Sequence, residues 1–135
     1  MENLMCSAHT HRVLFGDCDP AGIAYYPRMF GWMDAAFHGL LRPHGGHAAI
    51  CRRLGAAGLG LASAKAQFAR PVVEGDVVDI CIDHLTWSAR SLTLDYTGRV
   101  GAVAHFTGVE VRCMFLATET GMRAGAIAPL KDLLG

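Results

Sequence analysis

The chain has 135 residues, 52% of them hydrophobic and 18% charged, and its twelve basic and twelve acidic residues cancel. That length suits one domain spanning residues 1–135, and a neutral balance with no basic cluster larger than Arg52-Arg53 excludes a nucleic-acid footprint. A mean hydropathy of +0.28 leaves apolar surface for a second copy to cover, and no window approaches the roughly eighteen continuous apolar residues of a membrane span.

Residues Met1 to Cys6 show no basic segment followed by an apolar one, so the expected compartment is the cytoplasm. Five cysteines, at 6, 18, 51, 81 and 113, are odd in number and form no C-x-x-C; they read as reduced thiols rather than a disulfide framework or zinc site.

In chain order, His9, His11, Val13 and Phe15 alternate with Thr10, Arg12 and Leu14, which predicts a strand over Ala8 to Phe15. Gly16 to Gly22 breaks the alternation, and Pro20 pushes Asp19 into an extended conformation on a stiffened loop. Pro27 suits the first position of a helix. Phe30, Met33, Phe37 and Leu40/Leu41 then follow helical spacing, and Met29, Trp32, Ala35 and Ala36 make nearly every face apolar, as in a buried helix.

Glycines punctuate the chain from Arg42 to Gly60 around a short helix near His47 to Ala56. Ala64, Ala66 and Phe68 alternate with Ser63, Lys65 and Gln67 until Pro71 ends that strand, and Val72 to Asp76 reads as a turn. Two half-buried strands follow, marked by Val78, Ile80 and Ile82 and by Leu92, Leu94 and Tyr96, with Trp87 to Arg90 turning between them. Gly98 to Gly101 predicts a second turn into a long strand whose Val109, Val111, Cys113 and Phe115 oppose Glu110 and Arg112. Sequential strands joined by short turns imply an antiparallel meander. The expected class is α+β, an antiparallel sheet of about five strands wrapped around one long buried helix. No G-x-G-x-x-G dinucleotide loop occurs.

Asp17 and Asp19 admit two readings: a catalytic carboxylate facing the unpaired N–H groups of the helix start, or an aspartate-rich turn bonding its own backbone. Asp34, a charge amid an apolar helix, needs a partner; it is the second candidate carboxylate and is grouped with the substrate-binding positions. His9 with His11, and His44 with His47, lack a third ligand at a familiar spacing, so no metal is expected. Cys18 sits between two acids that oppose thiolate formation. Arg90, in a strand-connecting turn, is either solvated or a phosphate contact.

The run Phe15-Gly16-Asp17-Cys18-Asp19-Pro20-Ala21-Gly22-Ile23, then Tyr25, Tyr26 and Pro27, then Trp32-Met33-Asp34-Ala35-Ala36, resembles the 4-hydroxybenzoyl-CoA thioesterase family, whose fold is the hotdog fold. The match is dense over residues 13 to 36. It is looser afterwards, where Ala66-Gln67-Phe68 through Pro71 to Gly75-Asp76, and Arg90-Ser91-Leu92-Thr93, recur in hotdog thioesterases generally.

The resemblance implies that Asp19, the second aspartate of the motif, is catalytic and that Asp17 supports it. It further implies that the backbone N–H of Tyr26 polarises a thioester carbonyl, with Gly22 shaping the close approach. Pro27, where many shorter-chain acyl-CoA thioesterases of this fold carry histidine, points to the aroyl-CoA branch. Arg90 stands alone where relatives place several basic residues around CoA. The implied reaction is hydrolysis of an acyl-CoA, an aroyl-CoA such as 4-hydroxybenzoyl-CoA, with Asp19 as nucleophile or general base, no cofactor, and a homodimer or homotetramer with sites at subunit contacts. Two other readings stand beside it: a hotdog module that binds an acyl or aromatic ligand without turnover, and a hotdog hydratase or dehydratase using His38, the only histidine in the helix, with an acid.

Overall fold

The computed structural model describes residues 5–135; residues 1–4 of the N-terminal stretch read above lie outside the described residues. The strands are β1 (Met5–Arg12), β2 (Gly58–Phe68), β3 (Val77–Trp87), β4 (Leu92–Val100), β5 (Val103–Thr118) and β6 (Gly121–Ala124). The helices are α1 (Pro27–Leu41), α2 (His47–Leu54) and α3 (Ala128–Leu134). All strand pairs are antiparallel, in the order β1-β3-β4-β5-β2, with β6 added along β5. This is the expected α+β arrangement, a curled sheet packed on one long helix.

The helix begins where proline allows it and buries Met29, Trp32, Met33, Ala36, Phe37 and Leu41. These meet the inward residues of the strands, Ile80, Ile82, Leu92, Leu94, Tyr96 and Phe106, all at most 1% exposed. Each large side chain so buried contributes about 1.5–3 kcal/mol. The helix is not apolar all round, because Asp34 and His38 form a half-buried stripe.

Several expectations change. β1 ends at Arg12 rather than Phe15, since Phe15–Asp17 tightens into a single 3₁₀ turn. The meander holds for β3, β4 and β5 only; β2 lies beside β5, not β3. The reason is the connection after β2, which is captured by the loop before α1: the Ala24 N–H donates to the Val72 carbonyl at 2.7 Å, and the Gly75 N–H to that of Val13 at 2.9 Å. It therefore delivers β3 to the opposite edge, beside β1. Gly98 lies inside β4 rather than in a turn, and the Phe106 ring fills the space its side chain would take. β6 and α3 were not anticipated.

The largest correction concerns β5. Glu110 and Arg112, expected opposite the apolar face, point inward with Phe106 and Met114, at 1% and 4% exposure, while Val109, Val111, Cys113 and Phe115 are only half-buried. Arg112 Nε donates to Glu110 Oε1 at 3.1 Å and Nη2 to Asp34 Oδ1 at 2.7 Å. The guanidinium also lies 4.2 Å from the centroid of the Phe37 ring. The Tyr96 hydroxyl completes the set by donating to Glu110 Oε1 at 2.6 Å. Buried charge is tolerated here because each group neutralises or hydrogen-bonds its neighbour. Burial, then the nearby Glu110 charge, pushes the Tyr96 hydroxyl pKa far up, so it stays a donor.

Candidate active site

The loop from Asp17 to Tyr26 is built from its own backbone. The Asp19 N–H donates to Ile23 O and the Gly22 N–H to Asp19 O, both at 2.9 Å, closing a tight turn. Gly22 sits at φ +80°, a left-handed conformation that glycine adopts without steric cost. Isolated bridges tie Cys18 to Ala24 and Ile23 to Val73, so the turn is fixed at its base.

Asp17 is fully engaged. His11 Nε2 lies 2.8 Å from Asp17 Oδ2, the Leu14 N–H donates to the same oxygen at 2.9 Å, and Arg28 Nε lies 3.9 Å from Oδ1. Desolvation works against its ionisation, but the hydrogen bonds from His11 and Leu14 and the charges of His11 and Arg28 outweigh it and hold the carboxyl below the usual carboxylate range. Its backbone carbonyl accepts the Tyr25 N–H at 2.8 Å, and Arg28 Nη2 donates to Gly16 O at 3.3 Å. Asp17 thus clamps the loop onto the helix start.

Asp19 differs. Its Oδ1 accepts the Ala21 N–H at 2.9 Å, and among the described residues its Oδ2 has no hydrogen-bond partner. The half-buried carboxylate lines two neighbouring cavities. One, of about 430 Å³, is also lined by Ile23, Tyr25, Tyr26, Met29, Phe68 and Arg70. The other, of about 440 Å³, includes Phe15, Cys18, Gly22 and Glu74.

At the helix start one backbone donor, on a residue that lines a cavity with Asp19, lacks a partner among the described residues. Arg28 and Met29 donate to the carbonyls of Tyr25 and Tyr26, and Pro27 has no N–H, whereas the Tyr26 N–H meets no acceptor among the described residues. A carboxylate with a free oxygen and an unpaired N–H lining one cavity can attack, or deprotonate water beside, a carbonyl whose oxygen the N–H polarises.

Other anticipated residues fall elsewhere. Pro27 opens the helix but lines a third cavity with His11, Asp17, Arg28 and Trp32. Asp34 is held by Arg112. Arg90 donates from Nη1 to the Ala124 carbonyl at 3.0 Å. His38 Nε2 lies 3.6 Å from Asp34 Oδ2, but neither residue lines the Asp19 cavities. His47 Nε2 accepts the Leu59 N–H at 3.1 Å. Among the described residues no three His, Cys, Asp or Glu side chains group as a metal site. His11 and Arg70 were missed as site residues. The alternation of His9 and His11 toward the Asp17 loop was the one available signal for the first; nothing local marked the second.

No family model matches the chain. A stretch of 25 residues is 60% identical to the 4-hydroxybenzoyl-CoA thioesterase of Pseudomonas sp. strain CBS-3, spanning 18% of this chain and 18% of that enzyme. The similarity of structure is far broader. A crystal structure of the Pseudomonas enzyme aligns at 27% identity with a TM-score of 0.78, over 93% of this chain and 96% of that one. A substituted 4-hydroxybenzoyl-CoA thioesterase in complex with 4-hydroxybenzoyl-CoA aligns at 24% identity with a TM-score of 0.82, over 94% and 96%. A gentisyl-coenzyme A thioesterase aligns at 24% identity with a TM-score of 0.74, over 93% and 97%.

The chain therefore has the hotdog fold, which it shares with these thioesterases. Among them it is similar in both sequence and structure to the Pseudomonas 4-hydroxybenzoyl-CoA thioesterase.

Proposed function

We propose that the chain is an acyl-CoA thioesterase acting on aroyl-CoA thioesters such as 4-hydroxybenzoyl-CoA. The observation that carries the reading is that Asp19 and Tyr26 line one cavity, the first with an Oδ2 and the second with a backbone N–H that have no partner among the described residues. The apolar lining of Ile23, Met29, Phe68 and Val72 suits an aromatic acyl group.

Asp19 acts by one of two routes. As nucleophile, its oxygen bonds to the thioester carbon, the carbonyl oxygen becomes an oxyanion on the Tyr26 N–H, and the C–S bond breaks to release CoA thiolate. Water then opens the mixed anhydride to the free acid and restores the carboxylate. As general base, Asp19 takes a proton from water as the water oxygen attacks the same carbon, the C–S bond then breaks to release CoA thiolate and the free acid, and Asp19 gives up its proton to solvent. Thiolate is a good leaving group, so neither route calls on a cofactor.

Subunit pairing fits the same reading: β2 is an edge strand of eleven residues exposed along most of its length, and a second copy would satisfy its open backbone groups.

The test is thiol release from a panel of aromatic and aliphatic acyl-CoAs by wild type, Asp19→Asn and Asp34→Asn. Wild-type turnover that Asp19→Asn abolishes supports the reading. Full activity in Asp19→Asn with none in Asp34→Asn moves the site. Ligand-induced thermal stabilisation with no thiol release across the panel identifies a binding module instead. Turnover in oxygen-18 water, followed by mass measurement of the Asp19 peptide, separates the routes, because only the anhydride route can place label in the carboxylate.

A further inference from the structure

Arg70 ends the segment that follows β2, and its backbone is fixed. The N–H groups of Ala69 and Arg70 both donate to the His105 carbonyl, at 2.9 and 3.0 Å, while His105 Nδ1 lies 3.0 Å from the Pro71 carbonyl. The side chain is exposed, and among the described residues its guanidinium has no acceptor. The other arginines around the fold's polar sites are occupied: Arg28 by Gly16 O and Asp17, Arg90 by Ala124 O, Arg112 by Asp34 and Glu110.

This unoccupied cation lines the cavity of about 430 Å³ that Asp19 and Tyr26 also line. Asp19 and Arg70 are the charged members of an otherwise apolar and aromatic lining, and they form no ion pair with each other. A guanidinium on a fixed backbone, beside an apolar cavity and with its planar fork of donors unpaired, recognises phosphate or carboxylate oxygens in pairs.

We propose that Arg70 binds an anionic group of the thioester substrate, with oxygens supplied by a phosphate of CoA or by an acid substituent on the acyl group. The assignment rests on the thioesterase reading and deepens it: Arg70 sets substrate affinity, whereas Asp19 carries the chemistry. It also places anion recognition on the connection after β2 rather than on the β3–β4 turn, where Arg90 is engaged by Ala124.

The experiment compares wild type, Arg70→Gln, Arg70→Lys and Arg90→Ala on three thioesters: benzoyl-CoA, benzoyl-N-acetylcysteamine, which lacks phosphate, and 4-carboxybenzoyl-N-acetylcysteamine. A CoA phosphate contact raises KM of Arg70→Gln for benzoyl-CoA by about tenfold or more, leaves kcat close to wild type, and vanishes on the benzoyl-N-acetylcysteamine substrate. An acyl contact shows the same rise only on the carboxylated substrate. In either case Arg70→Lys recovers part of the affinity and Arg90→Ala changes little. An equal KM for wild type and Arg70→Gln on every hydrolysed substrate overturns the proposal.

Calorimetric titration of wild type and Arg70→Gln with free CoA and with benzene-1,4-dicarboxylate gives a readout that needs no turnover. Selective weakening of either ligand in the variant supports the Arg70 site even where no thioester is cleaved. Absence of binding to both, or equal binding by both proteins, overturns it. Lack of wild-type thiol release bears on the thioesterase reading alone.

Discussion

Two carboxylate clusters flank α1, one at its N-terminus and one halfway along, and they spend their charge differently. In the second, Glu110, Arg112 and Tyr96 satisfy one another on the inner face of the sheet, and Arg112 reaches out to the half-exposed Asp34 on the helix. In the first, Asp17 is as fully engaged as any member of that network, yet Asp19, two residues on, keeps one oxygen free beside a cavity. A carboxylate whose acceptors are all taken holds the structure together. One that is oriented but incompletely satisfied, next to an unpaired N–H, is available for chemistry. Asp17 provides the orientation by tying the loop to His11 and Arg28.

The sharpest way to break that contrast is to neutralise one carboxylate from each cluster. Asp19→Asn should lower the rate of thiol release by about 10²–10⁴-fold with an unchanged melting temperature, because an amide oxygen can still accept the Ala21 N–H. Asp34→Asn should retain most activity per folded molecule. The reverse pattern would move the chemistry to the Asp34–Arg112 network.

The network answers in stability. Arg112→Met leaves Glu110 and Asp34 facing each other without their cation and should cost about 3–5 kcal/mol, read as a lower urea midpoint with the same slope. Adding Glu110→Leu should recover part of the loss, since a buried charge without its partner costs more than an apolar pair. No recovery would mean that Arg112 acts mainly through its packing on Phe37.

The donor side of the site can be removed almost alone. Tyr26 lies at φ −54°, within proline's range, and the residue after it is already proline. Tyr26→Pro deletes the N–H and should reduce kcat by about 10²–10³-fold, whereas Tyr26→Phe should leave it unchanged. Equal effects would assign the role to the side chain.

The candidate site was legible in the sequence because its parts are local and carry the family resemblance: Asp19, Gly22, Tyr26 and Pro27 fall within nine residues, a pre-proline residue and a helix-opening proline fix nearby geometry, and the resemblance singled out Asp19 from Asp17. Period-two alternation gave most of the strands. It could not orient β5, because alternation treats Glu110 and Arg112 as solvent-facing and cannot register that Tyr96 and Asp34, distant in the chain, neutralise them. For the same reason Arg70 was invisible, as its place on the cavity that Asp19 lines depends on the connection after β2 folding back along the loop before α1. That fold-back also sent β2 to the far edge of the sheet.

The smallest effect should separate Asp17 from Asp19. Desolvation raises the Asp17 pKa, but the bonds from His11 and Leu14, with the charges of His11 and Arg28, bring it below its ordinary value of 3.8. A carboxyl with a depressed folded-state pKa stabilises fully above the ordinary value, and that stabilisation disappears as pH falls through the lower, folded-state value. Wild type should therefore exceed Asp17→Asn by about 1 kcal/mol near neutral pH, with the two urea midpoints converging on acidification below 3.8. Asp19→Asn, with one backbone contact that the amide preserves, should show no such convergence. If both variants gave the same pH-dependent difference, the division between a clamping and a reacting aspartate would fail.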